Sequence, residues 1–124
     1  MTWLQHVNVV VAPDATAPTA AFYKGVFGVT EIPKPPNAGS PLGAWLQLEG
    51  KQQLHISERE GAAHIDAHFA FVVADFDDVL RRIADAGAMW QDQKDLFGGR
   101  RGFTRDPAGN RIEVLEATGE LAGE

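Results

Sequence analysis

Polar and apolar residues alternate along His6-Val7-Asn8-Val9-Val10-Val11-Ala12, and again along Ala67-His68-Phe69-Ala70-Phe71-Val72-Val73. Both stretches are short and rich in β-branched or aromatic residues, which predicts strands. Successive strand residues point to opposite faces, so His6 and Asn8 share one face and Val7, Val9 and Val11 the other. In the second stretch His68, Ala70 and Val72 share a roomy face. Phe69, Phe71 and Val73 form a greasy face suited to packing on helices. Two strands that each open on histidine and run into valines suggest a duplicated unit.

The rest of the chain supports the duplication. The first strand spans roughly Trp3 to Val11 and stops at Pro13-Asp14. Thr16 is the expected N-cap, with Pro18 in the first turn, where a missing N–H costs little. Thr19 to Val26 is the expected helix, with Ala21, Phe22 and Val26 near one face and Gly25 and Gly28 marking its end. Val29 to Ile32 reads as a short strand. Pro33 to Pro41 is too rich in proline and glycine to pair as a central strand, and is either a plain connection or a lid. Ala44 to Leu48 and Gln53 to Ser57 form a hairpin about Gly50-Lys51. Leu54 and Ile56 go to its packed face, and Gln53, His55 and Ser57 to the other. Glu58 to Asp66 reads as a polar linker.

After the linker the order returns. The strand from His68 leads to Asp75, the expected cap of a helix carrying Phe76, Val79, Leu80, Ile83 and Ala84 at helical spacing. Gly87 stops that helix. Met89 to Gln91 is a short strand, Gln93 to Gly99 a loop, and Gly102 to Arg105 a strand. Asp106 to Asn110 is a tight turn, and Arg111 to Leu115 the last strand. Both halves read strand–helix–strand–strand–strand, offset by about 62 residues from His6 to His68. The expected organisation is one α+β domain over residues 1–124, with module one at about 1–60, module two at about 65–116 and an acidic tail to 124.

Composition narrows the function classes. The chain has 124 residues, 44% hydrophobic and 23% charged, which fits a folded globular protein. Net charge is −6, and the only adjacent basic pairs are Arg81-Arg82 and Arg100-Arg101, so nucleic acid is not an expected partner. No apolar run approaches the ~20 residues that cross a bilayer, so no membrane partner is expected. No basic-then-apolar leader is visible, and a cytoplasmic location is the expectation. Cysteine is absent, which removes disulfides, thiolate metal sites and cysteine nucleophiles.

The candidate chemistry lies at matched places in the repeat. His6 and His55 sit in the first and last strands of module one, and His68 and Glu113 in those of module two. All four are out of phase with the greasy faces. If each module curls into half a cup, the four converge on the hollow side. Three imidazoles and one carboxylate suit a divalent ion such as Zn, Ni, Co, Mn or Fe. A lone strand histidine is more often a hydrogen-bonded core residue, and the repeated placement is what favours ligation. His64, in the linker, reads as exposed and incidental. Asn8, Trp45 and Phe103 are candidates to wall a substrate pocket. Arg100 or Arg101 is a candidate to meet an anion at its rim. Arg111, two residues from Glu113 on the same strand face, either keeps that carboxylate ionised or is a rim surface group.

These features resemble the vicinal oxygen chelate superfamily, the glyoxalase/bleomycin-resistance/extradiol-dioxygenase group. The resemblance rests on His6 to Val11, on Ala21-Phe22-Tyr23-Lys24-Gly25-Val26-Phe27-Gly28, on His68 to Val73, and on Asp106-Pro107-Ala108-Gly109-Asn110-Arg111-Ile112-Glu113. It implies an eight-stranded curved sheet or cup of two βαβββ modules, completed in a homodimer. It also implies metal ligands at His6, His55, His68 and Glu113. The implied chemistry is electrophilic: a metal grips adjacent oxygens of a small substrate and stabilises developing negative charge. Proton transfer of the lyase or isomerase kind, with Glu113 as base, is the favoured expectation.

Departures from the subfamilies keep other readings open. Glyoxalase I-like enzymes commonly carry a carboxylate where this chain has His55. A fosfomycin-resistance-like thiol transferase would be satisfied by His6, His68 and Glu113, but its potassium loop is not apparent in Gln93 to Gly99. Extradiol-type dioxygenases use two His and one Glu, usually in a longer chain. A bleomycin-resistance-like binding protein would keep the cup without ligands, and a purely structural module would keep the histidines as core.

Overall fold

Each histidine-led stretch is a strand, and each heads its own four-stranded sheet. The structure is a computed structural model that describes residues 3–61 and 64–121. Ala62 and Ala63 of the expected linker, and Ala122, Gly123 and Glu124 of the expected tail, lie outside the described residues. The chain divides into two compact units, Met1–Ala63 and His64–Glu124.

In unit 1 the elements are β1 (His6–Val11), α1 (Thr16–Phe27), β2 (Thr30–Ile32), β3 (Ala44–Gln47) and β4 (Gln53–Glu58). The sheet order is β1-β4-β3-β2, with β1 parallel to β4 and the other pairs antiparallel. The first strand alternates as its polarity demands: Val9 and Val11 are buried while His6 and Asn8 are exposed. Leu46, Leu54 and Ile56 join the valines in a core with Phe22, Tyr23 and Val26 of α1.

Three expectations about α1 change. Thr16 is the first helical residue, and Ala15 stands at the cap without a side-chain cap bond. The acceptors come instead from the far end of β4. Glu58 Oε2 accepts from the Thr16 hydroxyl at 2.6 Å, and Glu58 Oε1 from the Asp14 N–H at 2.9 Å. Gly25 lies inside the helix, which ends at Gly28, where φ of 69° places the left-handed residue that closes the last turn. Ala21 is exposed, and Tyr23 takes the fully buried place.

Unit 2 comprises β5 (His68–Val73), α2 (Phe76–Asp85), β6 (Gln91–Gln93), β7 (Arg101–Arg105) and β8 (Arg111–Glu116), followed by a 3-10 turn at Gly119–Leu121. Its order, β5-β8-β7-β6, and its pairing directions repeat those of unit 1. Asp75 caps α2 as expected, its Oδ1 accepting from the Asp78 N–H at 3.0 Å. Phe76, Val79 and Ile83 face the core, whereas Ala84 is exposed.

The short strand β6 begins at Gln91, two residues later than Met89, where the polarity pattern placed it. The reason is local packing. Trp90 lies against Gly102, where an added Cβ would meet the indole at 2.4 Å, and the Met89 carbonyl accepts from the Thr104 hydroxyl at 2.6 Å. Met89 and Trp90 therefore dock on β7 through these contacts, and ladder pairing starts only beyond them. The family-like turn is knit by Asp106, whose Oδ1 accepts from the N–H groups of Ala108 and Asn110, both at 2.9 Å.

Candidate metal and substrate site

The parallel β1–β4 pairing sets Asn8 opposite His55, and the β3–β4 hairpin sets Trp45 on the other side of it. The rings follow this register. Trp45 stacks on His55 with centroids 4.0 Å apart, and His55 stacks on His6 at 4.1 Å. His55 is thereby 91% covered on a face expected to be polar and open. Burial holds its pKa below the ordinary imidazole value, assisted by the charges of His6 and then Lys34. His55 is accordingly neutral at pH 7, the form that binds metals. Lys34 also folds back the Pro33–Pro41 loop, donating to the Ser40 and Leu42 carbonyls. Asn8 Oδ1 accepts from the Ser57 hydroxyl at 2.7 Å.

In unit 2 the same registers set Ala70 and Phe103 beside Glu113. His68 Nε2 lies 3.3 Å from Glu113 Oε1, and Arg101 Nη1 lies 3.1 Å from Glu113 Oε2. Each oxygen of this buried carboxylate thus has a different partner. Phe103 meets the His68 ring edge-on at 5.4 Å.

Each candidate histidine is anchored through one ring nitrogen. His6 Nδ1 donates to Gln5 Oε1 at 2.7 Å, His55 Nε2 to Gln53 Oε1 at 2.8 Å, and His68 Nδ1 to the Asp66 carbonyl at 3.0 Å. In a neutral imidazole an oxygen acceptor on one ring nitrogen leaves the lone pair on the other, the arrangement that ligating histidines adopt. At His68 the other ring nitrogen, Nε2, faces the Glu113 carboxylate. With the imidazole protonated this contact is an ion pair, and with it neutral the same nitrogen and oxygen can both ligate a metal ion. The donor set therefore fits a divalent ion.

The structure joins the candidates in pairs. His6 meets His55 in unit 1, and His68 meets Glu113 in unit 2. Among the described residues no group of three or more His, Asp or Glu side chains is gathered as a metal-holding set. Arg100, expected near the pocket, is committed elsewhere: it pairs with Asp77 and with Glu116, each at 2.8 Å, and lies over the Phe76 ring. The Arg111 guanidinium lies over Phe103 at 3.7 Å, and the cation on Glu113 is Arg101. Sequence reading missed Arg101 in that role and the glutamine anchors. The available signals were Gln53 two residues from His55, and Arg101 two residues from Phe103, each on one strand face. His64 is exposed, as expected, and its Nδ1 accepts from the Asp66 N–H. Among the described residues no helix is long and apolar enough to cross a membrane.

Known proteins share this architecture. A glyoxalase family protein from Bacillus anthracis is 30% identical, with 94% of this chain and 95% of that one covered and a TM-score of 0.83. Lactoylglutathione lyase from Agrobacterium tumefaciens is 24% identical, with 100% and 98% covered and a TM-score of 0.71. An antibiotic binding protein from a Streptomyces species is 20% identical, with 94% and 96% covered and a TM-score of 0.69. The last two likenesses show the fold alone. No curated protein matches the sequence. A sequence profile matches residues 3–114, nearly the whole of both repeats, and with it the chain belongs to the Glyoxalase/Bleomycin resistance protein/Dioxygenase superfamily.

Proposed function

We propose that the protein is a divalent-metal-dependent enzyme acting on a small substrate with adjacent oxygens, by proton transfer of the lyase or isomerase kind. His6, His55, His68 and Glu113 are the proposed ligands, and Zn, Ni, Co, Mn or Fe the candidate ions. The observation that carries this reading is His68 Nε2 set 3.3 Å from Glu113 Oε1, with the other ring nitrogen held by the Asp66 carbonyl. When bound, such an ion would stabilise negative charge growing on the substrate oxygens.

The chain's own residues supply the rest. Arg101 holds Glu113 Oε2, which keeps Oε1 aimed toward His68 and available to accept a proton. Glu113 is the proposed base, because a carboxylate can accept the proton while the imidazoles hold their places. Asn8, Trp45, Phe103 and Arg111 are the proposed substrate-facing groups. The two units act as one domain in a cytoplasmic homodimer under the same proposal.

A direct test is titration of metal-free protein with each of the five ions. Stoichiometric binding that His68→Ala weakens tenfold or more supports the reading; no tight binding of any ion, or binding indifferent to His68→Ala, rejects it. A non-catalytic binding protein is the competing reading. The Trp45–His55–His6 ring stack favours it, because such a stack is a ready surface for a flat apolar ligand.

A further inference from the structure

The arginines of unit 2 are committed with one exception. Arg81 and Arg82 pair with Asp78, Arg100 with Asp77 and Glu116, and Arg101 with Glu113. Arg105 donates to the Gly109 and Ile65 carbonyls. Among the described residues of this unit, Arg111 alone has a guanidinium with no acceptor, and its only partner is the Phe103 ring, 3.7 Å below. Stacking on an aromatic face immobilises a guanidinium while leaving its in-plane N–H donors free for carboxylate or phosphate oxygens.

Its position is equally informative. Arg111 stands opposite His68 in the β5–β8 register and two residues before Glu113 on β8. The matching residue of unit 1 is Gln53, opposite His6, which is spent on anchoring His55. The duplicated frame thus carries a free cation where its other half carries a neutral, occupied amide. The chain's net charge is −6, yet two guanidiniums stand near the one Glu113 carboxylate: Arg101 pairs with it, and Arg111 lies over Phe103, the partner of Glu113 across the β7–β8 ladder. A local excess of positive charge on an acidic protein selects anions at that spot.

We propose that Arg111 is an oxyanion anchor, and that the substrate carries a carboxylate or phosphate group bound by its guanidinium. This rests on the reading that His68 and Glu113 form the reacting site, since it is their neighbour on the same strands. It adds the substrate class: a small anion, not a neutral molecule.

Metal-free full-length protein is titrated with inorganic phosphate, acetate and neutral acetamide while the arginine Nε–H resonances are followed by NMR. Phosphate or acetate should shift the Arg111 signal saturably, and acetamide should not. Arg111→Gln should weaken the anion roughly tenfold or more, Arg111→Lys less, and Arg81→Gln not at all. A stronger response to phosphate assigns a phosphoryl group, and a stronger response to acetate a carboxylate. Equal shifts at Arg81 and Arg111, no saturation, or unchanged affinity in Arg111→Gln overturns the proposal. If Arg111→Gln loses its dispersed spectrum, Arg111→Lys decides: weaker binding than the parent supports the anchor, and equal binding overturns it. Because no metal is used, failure of the ion titrations leaves this result standing, and the reverse also holds.

Discussion

The two units share topology and register but hold their matched side chains by different physics. Strand by strand, His6 corresponds to His68, His55 to Glu113, Trp45 to Phe103 and Gln53 to Arg111. In unit 1 the pair is two imidazoles stacked under an indole, an arrangement that excludes water and keeps His55 neutral. In unit 2 it is an imidazole and a carboxylate, with Arg101 balancing the charge. The lesson is that the frame of a duplicated fold constrains where a side chain stands, not which interaction holds it. Even the strand ends diverge. Glu58 and Glu116 occupy equivalent last positions of β4 and β8 and each accepts from a backbone amide, yet a hydroxyl completes the grip on the first and a guanidinium that on the second.

The comparison can be broken most severely at Arg101. Arg101→Met should leave Glu113 buried and uncompensated, lowering stability by about 3 kcal/mol in denaturant unfolding. Trp45→Leu, against the ring stack of unit 1, should cost about 2 kcal/mol by the same measurement. A charged site should thus prove more fragile to loss of one partner than a stacked one, and the reverse order would refute that account.

Backbone approach separates the units next. At Gly102 an added Cβ would meet the Trp90 indole at 2.4 Å and the Gln91 carbonyl at 2.6 Å, whereas Ala44, which carries a Cβ and is buried, occupies the matching place in β3. Gly102→Ala should therefore destabilise by about 2 kcal/mol through overpacking, with loss of the native Trp90 environment visible in fluorescence. A neutral result would mean that the indole has room to move aside.

A smaller effect of opposite sign is expected in α1. The Thr19 hydroxyl is fully buried and, among the described residues, has no hydrogen-bond partner. Thr19→Val should stabilise the protein by about 1 kcal/mol, measured by the shift in denaturation midpoint. Destabilisation would show that the hydroxyl is satisfied after all.

The finest contrast is between Glu58 and Glu116. The Thr16 hydroxyl holds the first below the usual carboxylate pKa, and Arg100 holds the second there together with Asp77. Carboxylates with depressed folded-state pKa values add stability above their unfolded values and lose it as pH falls through the folded ones. Both therefore contribute to acid lability below the ordinary carboxylate range. Salt should distinguish them in an NMR titration. At about 1 M NaCl the Glu116 pKa should rise toward its ordinary value because the exposed Arg100 pair is screened, while Glu58, held by neutral donors, should stay. Equal shifts would erase the distinction.

Much of this was legible in the chain itself. Period-two polarity around His6 and His68 specifies which face each histidine takes, and helical spacing from Phe76 with Asp75 before it specifies α2 and its cap. These are local properties, encoded by residues a few positions apart, and repetition of the pattern exposed the duplication and hence the family. What the chain alone left open depends on lateral neighbours. The burial of His55 requires Trp45 and His6 to arrive from two different strands. The charge on Glu113 is answered by Arg101 across a ladder, not by Arg111 along its own strand. The start of β6 waits for Trp90 to find Gly102. Alternation determines the face a residue occupies, but only strand order and register, which long-range packing decides, determine what stands beside it on that face.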